Sequence, residues 1–187
     1  MIGQMMEPVE FPTEDLGPPM AENDWALTGA DGRERRIVNS LYLSPEDLND
    51  HNWKLKRKFD EIAKNETRHE LYTSGGDGEY ELLVVAFGTM ARICKTAIDE
   101  IHEEGGRKVA LFRPITVNPF PYAALRQAMD DLPEGAKVFN VEMSMGQMLE
   151  DVRLACEGTR EIVFHGAAGG VVPSPDEGAA KIRELLP

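Results

Sequence analysis

Between residues 81 and 166 four short apolar runs recur, "ELLVVAFG", "KVALFRP", "AKVFNVEMS" and "EIVFHG". The first is too short for a helix and rich in valine, the pattern of a strand buried on both faces. Between and after the runs lie "TMARICKTAIDEIHEEGG", "PYAALRQAMDDLP", "GQMLEDVRLACEG" and "SPDEGAAKIRELL", which read as helices. Strands that alternate with helices in this way specify a parallel sheet covered on both faces and joined by right-handed crossovers. The expected fold is therefore α/β. The segment "HELYT", ahead of the turn cluster "TSGGDGEY", is expected to add an antiparallel strand at an edge.

Upstream of the sheet the pattern changes. Residues 1–43 are rich in Pro, Gly and acids, lack a sustained period, and read as a linker or wrapping arm. Trp25, Ile37, Val38, Leu41 and Leu43 within it are expected to lie against another surface. Residues 44–66 read as a helix: Ser44 is its N-cap, Pro45 fits the first turn, and Asp47 is placed to close a capping box. Leu48, Trp53 with Leu55, Phe59 and Ile62 approximate one apolar stripe, and "KLKRK" is its solvated face. The division expected is 1–43 and 44–187, the second part consisting of a leading helix, 44–66, and a core, 68–187.

Charge and cysteine usage narrow the functions open to such a chain. Twenty Lys plus Arg against thirty-three Asp plus Glu leave a net charge of −13, a field that repels phosphate backbones and anionic lipid. No stretch approaches the roughly 18 apolar residues of a membrane span. Nucleic-acid and membrane binding are thus disfavoured. The opening "MIGQMMEPVEFP" has neither the basic region nor the apolar core of a targeting signal, so the cytoplasm is the expected compartment. Cys94 and Cys156 show no CxxC spacing and read as buried free thiols.

In a parallel sheet, ligands and partners meet the loops that leave the carboxyl ends of the strands. At "FGTMA", Gly88 permits a tight exit and Thr89 is placed to cap the next helix. At "FRPITVNPFP", Pro114 and Pro119 stiffen the exit, Arg113 offers a planar fork, and Phe120 offers an anchor. At "NVEMSMGQM", Ser144 is placed to cap the helix that Gly146 and Gln147 begin. Glu142 either pairs with Arg113 on the neighbouring strand or faces outward, the internal pair being favoured. Met143, Met145 and Met148 serve as filler or interface. At "FHGAAGGVVPSP", Gly166, Gly169 and Gly170 suggest close backbone approach, and His165 is a lone structural imidazole. There is no GxGxxG, no phosphate loop, no nucleophile–base–acid spacing and no metal-ligand spacing.

The stretches "LFRPITVNPFP", "NVEMSMGQMLEDVRLA" and "GAAGGVVPSP", with "IVNSLYLSPEDLNDHNWKLKRKFDEI" and "MIGQMMEPVEFP", closely resemble the C-terminal part of the α subunit of 2-oxoacid:ferredoxin oxidoreductases. The nearest type is the 2-ketoisovalerate (3-methyl-2-oxobutanoate) one, with the 2-oxoglutarate type next. The resemblance implies a transketolase C-terminal-like domain, a three-layer α/β/α sandwich around a mixed, mostly parallel sheet of about five strands. It implies an enzyme that converts a 2-oxoacid and coenzyme A to acyl-CoA and carbon dioxide with thiamine diphosphate and Mg, passing electrons through iron–sulfur clusters to ferredoxin. Those cofactors are expected in other subunits and none in this chain, which is half the family's α-subunit length and is expected to be inactive alone. Its expected role is structural, docking other oxidoreductase subunits through Arg113, Pro114, Thr116, Asn118, Phe120, Glu142, Met145, Gly146 and Gln147, none of them catalytic. Pairing into a homodimer is compatible with the resemblance. A competing expectation is a stand-alone α/β module that holds an anion or coenzyme A at the helix N-termini near Gly88 and Gly146.

Overall fold

A computed structural model describes residues 11, 13 and 29–187, except 77. Trp25 and the opening residues lie outside that set. Ten elements follow one another: α1 (Pro45–Glu66), β1 (His69–Thr73), β2 (Leu82–Val85), α2 (Gly88–Gly105), β3 (Val109–Pro114), α3 (Tyr122–Asp130), β4 (Val138–Glu142), α4 (Gln147–Cys156), β5 (Ile162–Gly166) and α5 (Pro175–Leu185).

The five strands form one sheet in the order β1-β3-β2-β4-β5. Four are parallel, and β1 runs antiparallel to β3 along the edge, as its sequence suggested. Side chains alternate between the two faces of a strand. Leu83, Val85, Ala110, Phe112 and Val138 turn to one face, where they pack with Leu125 and Met129 of α3 and Val152 of α4. Leu82, Val84, Val109 and Leu111 take the opposite face and are equally buried. Helices α2 and α5 pack on each other, and Ile98, Ile101 and Ile182 are among their buried residues. The result is the three-layer α/β/α arrangement, with β2 shielded by strands on both sides and by helices above and below.

Helix ends follow the sequence in part. Ser174 caps α5 with a complete capping box: its Oγ accepts from the Glu177 N–H at 3.2 Å, and Glu177 Oε2 accepts from the Ser174 N–H at 2.8 Å. At α1 the Ser44 Oγ accepts from the Asp47 N–H at 3.3 Å, while its own proton goes to Glu46 Oε2 rather than into a box with Asp47. The expected cap at Thr89 is absent: α2 starts after Phe87 with no side-chain cap hydrogen bond. Gly106, in the left-handed conformation at φ 67°, ends α2 by donating to the His102 carbonyl.

The chain divides into two units, Met1–Lys58 and Phe59–Pro187. In the first, the Tyr42 ring stacks on His51 at 4.5 Å and its hydroxyl meets His51 Nδ1 at 3.0 Å. No described residue of that unit is buried. The helix α1 likewise has no buried residue, and its stripe differs from the expected one. Leu48, Leu55, Phe59 and Ile62 share a face, but Trp53 sits roughly 140° round the axis from Leu48, because each residue advances about 100°.

In the second unit, Tyr80 is 4% exposed and donates its hydroxyl to the Ala128 carbonyl at 2.6 Å, tying the sheet to α3. Burial pushes its pKa up to about 12, and the Asp131 carboxylate adds to the shift. The folded pKa thus lies above the unfolded value of 10.0. The stability this gives is complete below pH 10 and is lost as pH rises towards about 12. Thermal melts between those limits will show a falling transition temperature, with a shallower slope in Tyr80→Phe. Leu125→Ala, at a fully buried position in the same layer, will cost about 2–5 kcal/mol in urea titrations.

A candidate docking rim at the carboxyl ends of the strands

Because the four strands β2 to β5 are parallel, their exit loops all emerge on one rim. Arg113 and Glu142 both end strands there, on β3 and β4. They do not pair. The strand order places β2 between β3 and β4, so the neighbour assumed from sequence is the wrong one. Arg113 instead faces its cross-strand partner Glu70 on antiparallel β1, with Nη1 to Oε2 at 3.1 Å. Both side chains are more than a third exposed or close to it, so the pair contributes less than about 1 kcal/mol.

Glu142 turns inward, with 1% of its surface exposed. Its Oε2 accepts from the Met148 N–H at 2.9 Å, so a buried carboxylate caps α4. Ser144, expected in that role, does not fill it: the residue at the cap position before α4 is Gly146, held at φ 106°. The Glu142 backbone carbonyl accepts from the Ala167 N–H at 3.1 Å, which joins the β4 exit to the β5 exit. Oε1 of Glu142 and both side-chain polar atoms of Asn140, two residues earlier on the same face of β4, have no protein partner. These two loops approach closely at Gly166, where a Cβ would lie 2.6 Å from the Ser144 carbonyl oxygen. Gly169 and Gly170 do not share that role, since open space surrounds both and their positive φ serves a turn.

The β3 exit is held from below. Thr116 Oγ1 accepts from the Arg68 N–H at 3.0 Å, and the Thr116 N–H donates to the Arg68 carbonyl at 3.2 Å. The Asn118–Pro119 bond is cis. Phe120, expected as an outward anchor, is 6% exposed and belongs to the core on the α3 side, its ring 5.0 Å from that of Tyr122. Pro114 is buried too. Asn118, Met145 and Gln147 are exposed, Gln147 accepting from the Met145 N–H at 3.2 Å, and Gly146 is half-buried. His165 at the end of β5 lies against Phe139, ring centres 6.4 Å apart, in keeping with a structural imidazole.

The apolar outward surface of the rim is made by Met145, one of the residues chosen from sequence, and by neighbours of the others. Phe87, Ile115, Val117, Met143, Met145 and Val171 are its exposed apolar side chains, one or two on each exit loop. Sequence reading passed over Ile115 and Val117 because it fixed on the prolines and arginine beside them. The signal was available, since apolar residues placed in a loop just beyond a strand have no core to enter. Beside this rim a groove of about 740 Å³ opens among Thr67, His69, Val117, Asn118, Tyr122 and Asp151, the Tyr122 hydroxyl bonding to the Asp151 carboxylate.

The chain is similar in fold to two solved structures. One is a 2-oxoglutarate:ferredoxin oxidoreductase from Magnetococcus marinus, at TM-score 0.68 and 19% identity over 87% of this chain and 28% of that one. Another is a split-gene transketolase, an inactive β4 tetramer, at TM-score 0.50 and 16% identity over 64% of this chain and 41% of that one. Residues 81–177, which carry the rim, match the family model for pyruvate:ferredoxin oxidoreductase core domain II, and the chain belongs to that family. The ketoisovalerate oxidoreductase subunit VorB of Methanothermobacter thermautotrophicus is 34% identical over 99% of this chain and 50% of its own length. That of Methanothermobacter marburgensis is 35% identical over the same shares. The 2-oxoglutarate synthase subunit KorA of Methanocaldococcus jannaschii is 29% identical over 76% of this chain and 31% of its own. The chain therefore spans about half the length of the ketoisovalerate relatives it matches.

Replacing Glu142 tests the buried cap. Glu142→Ala removes the acceptor at Met148 and will destabilise by about 1–3 kcal/mol, whereas Glu142→Gln keeps an oxygen there and will lose less than about 1 kcal/mol, both read by urea unfolding.

Proposed function

We propose that this chain is the structural and subunit-interface domain of a thiamine-diphosphate-dependent 2-oxoacid:ferredoxin oxidoreductase, working within a multi-subunit enzyme and inactive alone. The observation that carries the reading is the conjunction of family membership with a single rim on which every parallel strand presents an exposed apolar side chain. An apolar fringe of this kind marks a protein–protein contact rather than a small-molecule pocket. The substrate type proposed is 3-methyl-2-oxobutanoate, since the ketoisovalerate relatives are the more similar and match along the whole chain. The proposed domain division is 1–43 and 44–187, and the proposed compartment is the cytoplasm. Among the described residues no helix is long and apolar enough to cross a membrane.

The donor set of this chain does not suit the redox cofactors of such an enzyme. Iron–sulfur clusters are held by several cysteine thiolates. Here the two cysteines sit on different helices, α2 and α4, both buried. Burial pushes the Cys94 thiol up to about 12, away from the thiolate form a metal needs. No group of three or more His, Cys, Asp or Glu among the described residues is placed to hold a metal. On this reading the clusters, thiamine diphosphate and Mg are held by other subunits of the enzyme. Electron transfer to ferredoxin and pairing of two copies are, on this reading, properties of the assembled enzyme. The alternative of an anion-binding module at Gly146 is weakened by Glu142, whose carboxylate already takes the amide there.

Co-expression with the complementary subunits of a ketoisovalerate oxidoreductase will yield a complex on size-exclusion chromatography. Val117→Asp and Met145→Asp will each weaken it about tenfold or more while leaving the thermal transition of the isolated chain within a degree or two. Arg113→Ala will weaken it less. Assembly indifferent to both aspartates would end the proposal for the rim.

A further inference from the structure

Three polar atoms inside the sheet are left over by the bonds that hold the fold. Asn140 is 0% exposed and Glu142 1% exposed, and Asn140 Nδ2, Asn140 Oδ1 and Glu142 Oε1 have no protein partner. A buried polar atom without a hydrogen bond is strongly destabilising, and protein interiors supply a partner for nearly all of them. Both ends of the Asn140 amide are affected, so turning the amide over changes nothing.

The two side chains face the layer of α3 and α4. Directions alternate along β4, and Val138, two residues before Asn140, packs in that layer with Met148 and Val152. Residues two apart on a strand stand roughly 6.6 Å from one another. That is too far for a direct bond between such side chains standing side by side, but two bonds of about 2.8 Å that share a central atom reach across once they lean together. The strand neighbours of Asn140 are Val85 and Phe164, neither with a polar side chain, and the β5 neighbour of Glu142 is Gly166. A Cβ at Gly166 would lie 2.6 Å from Phe164 Cζ, so that ring fills the space beside Glu142 at the open edge of the sheet.

The chemistry of the leftover atoms selects what joins them. A carboxylate oxygen only accepts, whereas the amide both donates and accepts. An anion has nothing to offer Glu142. An alkali cation cannot accept from Nδ2, and it would sit at the positive end of α4, where the Met148 N–H already points at the carboxylate. Water donates, accepts, and is small enough for a position closed to solvent.

We infer that a resident water bridges Asn140 to Glu142 beneath the start of α4, accepting from Nδ2–H and donating to Oε1, with a second water bonded to it and to Oδ1. With Oε2 held by Met148 and Oε1 by the water, the Glu142 carboxylate is fixed at both oxygens, and the loop that begins at Met143 leaves β4 from a fixed base. Asn140 is thereby a positioning residue for that loop. The inference rests on burial and hydrogen-bond chemistry and is independent of the proposed function.

The test uses the full 187-residue chain, crystallised with rubidium chloride. High-resolution density will show a light-atom peak within about 3.2 Å of both Asn140 Nδ2 and Glu142 Oε1, without anomalous signal from rubidium. In solution the Asn140 side-chain amide protons will show cross-relaxation with water of the sign that marks a long-lived bound molecule. Glu142→Gln will keep the peak. Asn140→Val will lose it and raise the unfolding equilibrium constant about tenfold, and Asn140→Ser, which restores a group that donates and accepts, will recover the water. Density in which protein atoms fill the position overturns the inference, as does a rubidium signal, which would assign a cation. Asn140→Val that unfolds as the unaltered chain does overturns the positioning role. Should that variant not fold, the density and cross-relaxation of the unaltered chain decide.

Discussion

The structure depends on a sheet whose three central strands, β2, β3 and β4, are buried on both faces. Leu82 to Val85 are all fully buried, with β3 and β4 closing off the sides of β2 and helices closing off the faces. Burying both faces leaves only the ends of the strands open to solvent, and the direction of the strands decides what each end displays. Four parallel strands send four loops to the same end. A surface with this concentration of backbone turns and apolar tips follows from topology before any particular side chain is considered.

The same constraint accounts for Glu142. A carboxylate at the last position of a strand buried on both faces cannot stay in a hydrocarbon layer without a donor. The first free amides of α4 are the nearest donors, because the crossover returns the chain directly over that strand end. One buried residue thereby fixes where α4 begins and, through its own carbonyl and Ala167, where the next loop lies. The carboxylate that sequence reading offered to a partner is thus an internal fastener, while its apolar neighbours Met143 and Met145 are the side chains that reach solvent.

Much of the fold was legible because its signals are local. Valine-rich runs, the terminating glycine of α2 and the box at Ser174 each specify their element within a few residues, and the antiparallel edge strand was read from "HELYT" ahead of a turn. The candidate site was less legible because its geometry depends on strand order, which no local pattern encodes. Arg113 and Glu142 lie on strands that follow one another in the chain, yet β2 separates them in space. Phe120 failed as an anchor for a related reason. A phenylalanine between two prolines looks like a loop tip, but the turn folds it back beneath α3, where apolar surface is available. Thr89 and Ser144 were plausible caps by position, and one helix dispenses with a side-chain cap while the other borrows one from a residue further upstream.

Hydrogen bonds between Thr116 and Arg68 splice the entry to the sheet onto the loop that leaves β3. Arg68 is the last residue before β1, and β1 starts opposite Pro114, where the chain leaves β3 toward Thr116. The exit loop that carries Ile115 and Val117 is thereby tied to the chain entering the sheet by main-chain bonds at its base rather than through the hydrophobic interior.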